Sequence, residues 1–475
     1  MGHVTGHSRC QATLFPQPLD EVIGDDHPIR IIDEFVDGLD LAELGFSKVE
    51  AEATGRPPYL PGDRLKLYLY GYVNQIRSSR RLEREAQRNI EVMWLVNRVT
   101  PAFKTIADFR KDHPSAIVGV CRAFTRFCRE QALFGAKLLA IDGTKIGAVA
   151  SRKKVITPKR LAKQMAAIDR KIAAYLAQMD AADREERADV VLPADTSAAI
   201  EALQAQREKL QLEAHALARD GLNQRVVGEV EAKLMRTPHG HQVAYNAQIA
   251  VDAKHHLIAA FDLTNEGNDL QQLEPMAEQG KAAVGADQVT VVADTGYSNG
   301  EQGAHCEHDK ITAIVPRPET VNPGGKQYFT RDRFDYDAAS DSWRCPAGAT
   351  LTCHMASNAQ QQKRYATNAC SGCALKAQCT DAARRYIYRS FHEDAREAMH
   401  RRATDDPVWM RRRREMAEHP FGTMKWLMGN PRFLVRGLRK AKAELALGVL
   451  SYNLKRVINI MGVPALLQAL HPAPG

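Results

Sequence analysis

Between Leu161 and Leu217 the chain twice repeats residues, apolar but for Arg207, at alternating steps of four and three, which limits the possible folds more than any other stretch. Leu161, Met165, Ile168, Ile172, Tyr175 and Met179 form the first run, and Ile200, Leu203, Arg207, Leu210, Ala214 and Leu217 the second. Such spacing gives each of two helices one narrow seam. The segment "VVLPADTSA" breaks the helical pattern between them, so residues 158–221 are expected to form an antiparallel coiled-coil hairpin. Strand-like runs stand on both sides, so the hairpin is an insertion and the core is assembled from pieces that flank it.

Before the hairpin, "KLLAIDGTKIGA" reads as a buried strand meeting an Asp-Gly turn. After it, "QVAYNAQIAVD" and "HLIAAFDLTN" read as a strand hairpin, "DLQQLEPMAEQGKAAVG" as a helix, and "QVTVVADTGY" and "KITAIVPRP" as two further strands. Residues 136–157 and 222–317 therefore supply the first part of a mixed α/β core. Residues 318–390 hold Cys, Gly and Asp without sustained periodicity and are expected to be a second insertion, too small for a core of its own. Residues 391–475 return to helices, a basic one from about Asp406 and an apolar one from about Lys440. Residues 1–60 read as a leading arm and residues 61–135 as a helical domain.

The formal charge is +8, and its distribution matters more than its size. From Pro407 to Met461 twelve Lys or Arg face three Glu, and from Arg64 to Lys111 eleven basic residues face four acidic ones. Basic helices of this kind suit a polyanion, and Arg77, Arg80 and Arg81 are the candidate phosphate contacts of the first. There is no secretory leader pattern and no apolar run of about 18 residues. The expectation is a soluble cytoplasmic protein with no membrane partner.

Asp142 and Asp294 each end an apolar strand beside a glycine, in "LLAIDGT" and "VVADTGY". Two carboxylates on neighbouring strand ends can share a divalent cation, although Asp-Gly after a strand is also an ordinary turn. Glu418 is an acid on a basic helix, "RRRREMAEHPFGTMKW". There it either faces a metal ion or pairs with Arg414 four residues earlier. Asp269 in "NEGNDLQQ" is assigned to capping the helix that follows.

Taken in order, "AIDGTKI", "ADTGY" and the spacing of Arg414, Glu418 and Lys425 (R-x3-E-x6-K) resemble the catalytic blocks of bacterial insertion-sequence DDE transposases. In the branch with a Tyr-Arg-Glu-Lys signature a Tyr precedes the Arg by three residues, and here that position is Arg411. The blocks "GRPPYLPGDRLKLYLYGYVNQIRSSRRLEREAQRNIEVMWLV" and "KTIADFRKD" resemble the helical domain of the same group, and "RFLVRGLRKAKAELALGVLSYNLKRV" its C-terminal end. The resemblance implies a ribonuclease H-like α/β core. It also implies a triad of Asp142, Asp294 and Glu418 holding two Mg²⁺ about 4 Å apart, with Mn²⁺ able to substitute. Arg414 and Lys425 would grip phosphates. The implied activity is cut-and-paste transposition without a covalent protein–DNA intermediate, on terminal inverted repeats and target DNA, by a homodimer associated with the bacterial nucleoid. A DNA-binding protein that has lost catalysis, and a metal-dependent nuclease without strand transfer, are the competing classes.

Five of nine cysteines lie between Cys345 and Cys379. Cys370 and Cys373 have zinc-knuckle spacing. Cys345 and Cys379 would complete a structural Zn²⁺ site, with Cys353 and His354 as competing ligands. Cys121 and Cys128 share one face of an apolar helix and read as core.

Overall fold

The computed structural model describes residues 18–50, 57–184, 196–319, 327–429 and 431–471. Its N-terminal part is helical: α1 (Leu19–Val22), α2 (Ile29–Asp37), α3 (Pro61–Val73), α4 (Ser79–Arg88), α5 (Ile90–Leu95), α6 (Phe103–Asp112) and α7 (Pro114–Glu130). Pro61 and Pro114 open α3 and α7, where a missing N–H costs nothing, and the Asn89 side chain caps α5 by accepting from two of its first amides. Ile29, Ile31, Ile32, Phe35 and Val36 of α2 are buried in the same core as α3 and α7. Residues 29–46 therefore belong to the helical unit, which corrects the expectation of a separate arm over 1–60. The amphipathic spacing of "IRIIDEFVD" is what docks them.

Strand β1 (Leu138–Gly147) starts the sheet, and the short strands β2 (Val155–Ile156) and β3 (Arg225–Val226) pair at the base of the hairpin formed by α8 (Pro158–Arg184) and α9 (Thr196–Arg219). Along α8 the positions least exposed are Leu161, Met165, Ile168, Ile172, Tyr175 and Met179, with Ala167. Arg207 reaches across from α9 to Asp169 at 2.6 Å. Most of the segment "VVLPADTSA" lies outside the described residues.

The sheet continues with β4 (Lys233–Thr237), β5 (Gly240–Asp252) and β6 (Ile258–Thr264), then α10 (Leu273–Val284), β7 (Val289–Val292), α11 (Gly300–His308) and β8 (Ile311–Ile314). From edge to edge the order is β6, β5, β1, β7, β8, with β4 also on β5. β5 runs antiparallel to β1 and β6, whereas β7 and β8 run parallel to β1. Leu139 and the α10 glycine Gly280 pack so closely that a Cβ on Gly280 would stand 2.7 Å from Leu139 Cδ1, which places α10 on the odd-numbered face of β1.

Residues 318–390 differ from the expectation. Strands β9 (Asp335–Asp337), β10 (Ser342–Arg344), β11 (Thr350–Ser357), β12 (Gln362–Ala366) and β13 (Ile387–Ser390) form an antiparallel meander. Phe334, Trp343, Leu351, Tyr365 and Ile387 give it a small core of its own. The strands are too short, and too polar on one face, to leave a period in the sequence.

Helices α12 (Glu393–Asp405), α13 (Val408–Met428), α14 (Leu438–Met461) and α15 (Val463–Leu470) complete the chain. Met416 and Ala417 of α13 pack on Leu138, Ala140 and Val292, so α13 covers the even-numbered face of β1. α14 is buried along most of its length between the N-terminal helices and β6. Asn453 on it donates to the carbonyl of Ile258 and accepts from its amide, both at 2.9 Å, closing part of the sheet edge. No helix of the described residues is long and apolar enough to cross a membrane.

Candidate active site

Asp142 lies within β1, because the strand runs on to Gly147 in register with β5. The expected Asp-Gly turn is absent there. Gly143 is required by crowding, since a Cβ on it would stand 2.4 Å from Gln248 Nε2 and 2.9 Å from Asp269 Oδ1. Asp294 follows β7 and caps a short helical turn, accepting from Gly296 N at 2.8 Å. Ala140 pairs with Val292 across the parallel strands. Two residues further along each chain, the two aspartates fall side by side.

Arg413 of α13 joins them. Its Nη2 donates to Asp142 Oδ1 at 2.5 Å and to Asp294 Oδ2 at 3.2 Å. Burial pushes the Asp142 carboxyl up to about 6, with Asp294 and Asp269 adding to the rise and Arg413 opposing it. Asp269 is the third acid of this cluster. Its Oδ1 accepts from Asn246 Nδ2 at 2.6 Å and Gln248 Nε2 at 2.7 Å, and Lys145 Nζ stands at 3.4 Å. It does not cap α10, whose first turn lies beyond Gln272. Tyr297 donates to Gln248 Oε1, and burial first, then Asp269, Asp142 and Asp294, hold its phenol far above the ordinary value. The tyrosine therefore keeps its proton and stands as a donor to Gln248.

Glu418 is placed elsewhere. It is exposed on α13 and lines a shallow depression with Arg411, Arg414, Glu415 and His419. Among the described residues neither Glu418 nor Arg414 has an ion-pair partner, so the alternative of a pair between them is not formed either. Arg413 and Glu418 are five residues apart, which sets them about 140° apart around the helix. One side chain can face the aspartates while the other cannot. Lys425 is half-buried two turns further on.

Among the described residues no group of three or more His, Cys, Asp and Glu stands ready to hold a metal ion. The donor chemistry of Asp142 and Asp294 nevertheless suits a hard divalent cation. Their carboxylates already share one positive group, and burial leaves Asp142 short of charge compensation. A third carboxylate from α13 does not join them in this arrangement.

Arg77 corrects a sequence expectation. It is buried, with Nη1 3.2 Å from Glu444 Oε1 and 3.1 Å from the Arg432 carbonyl, so it is structural and faces no DNA. Arg80 and Arg81 are exposed, and the Arg80 guanidinium lies over Phe103 at 4.9 Å. Sequence reasoning missed Arg413, one of four consecutive arginines that differ only in helical phase. It also missed Asn246 and Gln248, whose signal was two polar residues inside an apolar strand.

Cys345, Cys370, Cys373 and Cys379 face one cavity, but among the described residues no three of them stand close enough to hold a metal ion as they are. All four line one cavity of about 290 Å³ with Phe329, Phe334 and Leu351. Cys345 sits in a tight turn closed by Gly348 N donating to its carbonyl at 2.8 Å. Cys353 is exposed on β11 and does not line the cavity, and His354 packs near Tyr386. Cys121 and Cys128 are buried in α7, and burial pushes the Cys121 thiol up to about 12.

Residues 17–112 match a family described as a transposase domain (DUF772), and residues 344–458 match one described as a transposase DDE domain. The second match takes in Arg413, Arg414, Glu418 and Lys425, whereas Asp142 and Asp294 precede it. No curated protein matches the chain. A cryo-EM structure of piggyBac transposase in a synaptic complex with hairpin DNA overlaps 95% of this chain and 80% of its own, at 9% identity and a TM-score of 0.33, too low to bear on the fold. One transposase family model thus matches the helical end of the chain, and a second, described as a transposase DDE domain, matches the segment that contains α13.

Proposed function

We propose that the protein excises an insertion sequence and joins it to target DNA by in-line phosphoryl displacement at a phosphate held beside Asp142 and Asp294. The observation that carries this reading is the meeting of those two aspartates, one within β1 and one just past the parallel β7, on the single guanidinium of Arg413. A central β1 with antiparallel β5 and β6 on one side and parallel β7 and β8 on the other supports a ribonuclease H-like core. Asp142 and Asp294 would hold Mg²⁺, or Mn²⁺ in its place, which when bound supplies activation of water or a DNA 3′-hydroxyl and charge relief at the leaving oxygen. Lys145 and Tyr297 fix Asp269 and Gln248 behind them. The exposed Arg80, Arg81 and Arg414, with Lys425, would grip phosphates, and a homodimer on the bacterial nucleoid would pair the two terminal repeats. No covalent protein–DNA intermediate is required.

In this reading Glu418 is the third acid and reaches the aspartates when α13 turns Arg413 away. Asp269 is the second candidate, favoured by its position beside Gly143 and Gly296. Cleavage of a terminal-repeat duplex by Glu418→Gln and Asp269→Asn separates them. The expected outcome is loss in Glu418→Gln with partial activity in Asp269→Asn, and the reverse pattern would transfer the role to Asp269. Strand joining of a pre-cut end distinguishes a transposase from a nuclease.

The four-cysteine cavity is read as a structural Zn²⁺ site that staples the meander. Metal analysis of the purified protein should find about one zinc per chain, lost in Cys373→Ser and kept in Cys353→Ser. Equal zinc in both variants would remove the assignment.

A further inference from the structure

Arg122, Arg126 and Arg129 lie on one stripe of α7, at steps of four and three, and all three are exposed. They wall a groove of about 320 Å³ whose opposite wall is Gln279, Ala282 and Ala283 of α10 and whose floor is Ala259–Phe261 of the edge strand β6. No carboxylate lines it. Among the described residues none of the three arginines takes a hydrogen bond or ion pair through its guanidinium. Other helical cations of the protein do: Arg88 with Glu85, Lys111 with Asp108, Arg207 with Asp169 and Arg402 with Glu307. Like charges four residues apart repel, so the stripe carries a standing cost that a polyanion would relieve.

The groove is on the other side of the sheet from the catalytic acids. Asp142 shares the even-numbered face of β1 with Leu138 and Ala140, which α13 covers, whereas α10 covers the odd-numbered face. A duplex lying over Asp142 and Asp294 does not also fill this groove. Its apolar floor and guanidinium walls fit a phosphate backbone, with the Arg129 stem already laid against Gly285 at the end of α10.

We propose that this groove is a second DNA-binding surface, which takes the phosphate backbone of a duplex segment other than the one being cut. The identity of the polyanion rests on the DNA transposase reading; the existence of an anion surface does not. The test is the salt dependence of binding of the full-length protein to a short random-sequence duplex, read by fluorescence anisotropy without divalent metal. The Arg122→Gln/Arg126→Gln pair should lower the slope of log affinity against log salt by about two, and each single variant by about one. Arg122→Lys/Arg126→Lys should keep the slope, and cleavage of a saturating terminal end at low salt should keep its rate in the Gln pair. Repeating the slopes in an Asp142→Asn background makes the result independent of catalysis. An unchanged slope in the Gln pair or in both singles overturns the proposal. So does loss of binding to a poly-glutamate peptide with the duplex slope intact, which would make the occupant an acidic protein segment.

Discussion

Asp142→Asn will leave the metal-free protein more stable at neutral pH than the native chain while removing DNA cleavage. Burial raises this carboxyl from 3.8 to about 6. The folded state therefore binds more protons than the unfolded state between those values. Stability falls as pH rises through that window, and the loss is complete above it. A rise of about two units corresponds to roughly 3 kcal/mol at neutral pH. Asparagine keeps the shape and drops the charge. Thermal unfolding without divalent metal should show the variant ahead by a few degrees near neutral pH and level with the native protein at about pH 4. If Asp142 holds the metal as proposed, cleavage should drop by about 10³-fold or more, because loss of such a carboxylate forfeits several kcal/mol of transition-state stabilisation. An equal stability difference at both pH values would show that burial of this charge is not what the folded state resists.

Glu444→Gln should destabilise the protein by about 3–5 kcal/mol, the cost of breaking a buried ion pair from one side. The Glu444 carboxylate is buried, and it meets Arg77 Nη1 at 3.2 Å and Arg110 Nη1 at 3.7 Å. Its other oxygen accepts from the Leu434 amide at 2.7 Å and the Val435 amide at 3.3 Å. One side chain thus fastens α14, the segment before it, the start of α4 and α6. Chemical denaturation is the direct measurement, with exposed Glu415→Gln as the control expected to change little. A loss under about 1 kcal/mol would mean that the two arginines find other partners.

What the sequence disclosed follows from which forces act locally. The seam of α8 and α9 was legible because a two-helix contact depends only on spacing along each helix. The strands around Asp142 and Asp294 were legible because β1 and β7 are buried on both faces and read as unbroken apolar runs. Arg77 and Arg80 could not be told apart: they stand three residues apart, on either side of the start of α4, and only the approach of α14 decides which is buried. Arg413 was hidden for the same reason within its run of four. Asp269 was misread because a carboxylate before a helix is usually a cap, and the two side-chain amides that claim it come from β5. The meander of residues 335–390 owes its shape to pairing between very short strands and to a handful of aromatic contacts, none of which is periodic.

The hairpin of α8 and α9 leaves and rejoins the core through β2 and β3, which pair Val155 with Val226 and Ile156 with Arg225. Because its two ends meet, everything beyond that clasp can lengthen, shorten or be exchanged without moving the strands that carry the aspartates. The clasp is in effect a socket. A lineage of such enzymes could change its tool at that point, acquiring a new partner or losing an old one, while the chemistry beneath it stayed the same.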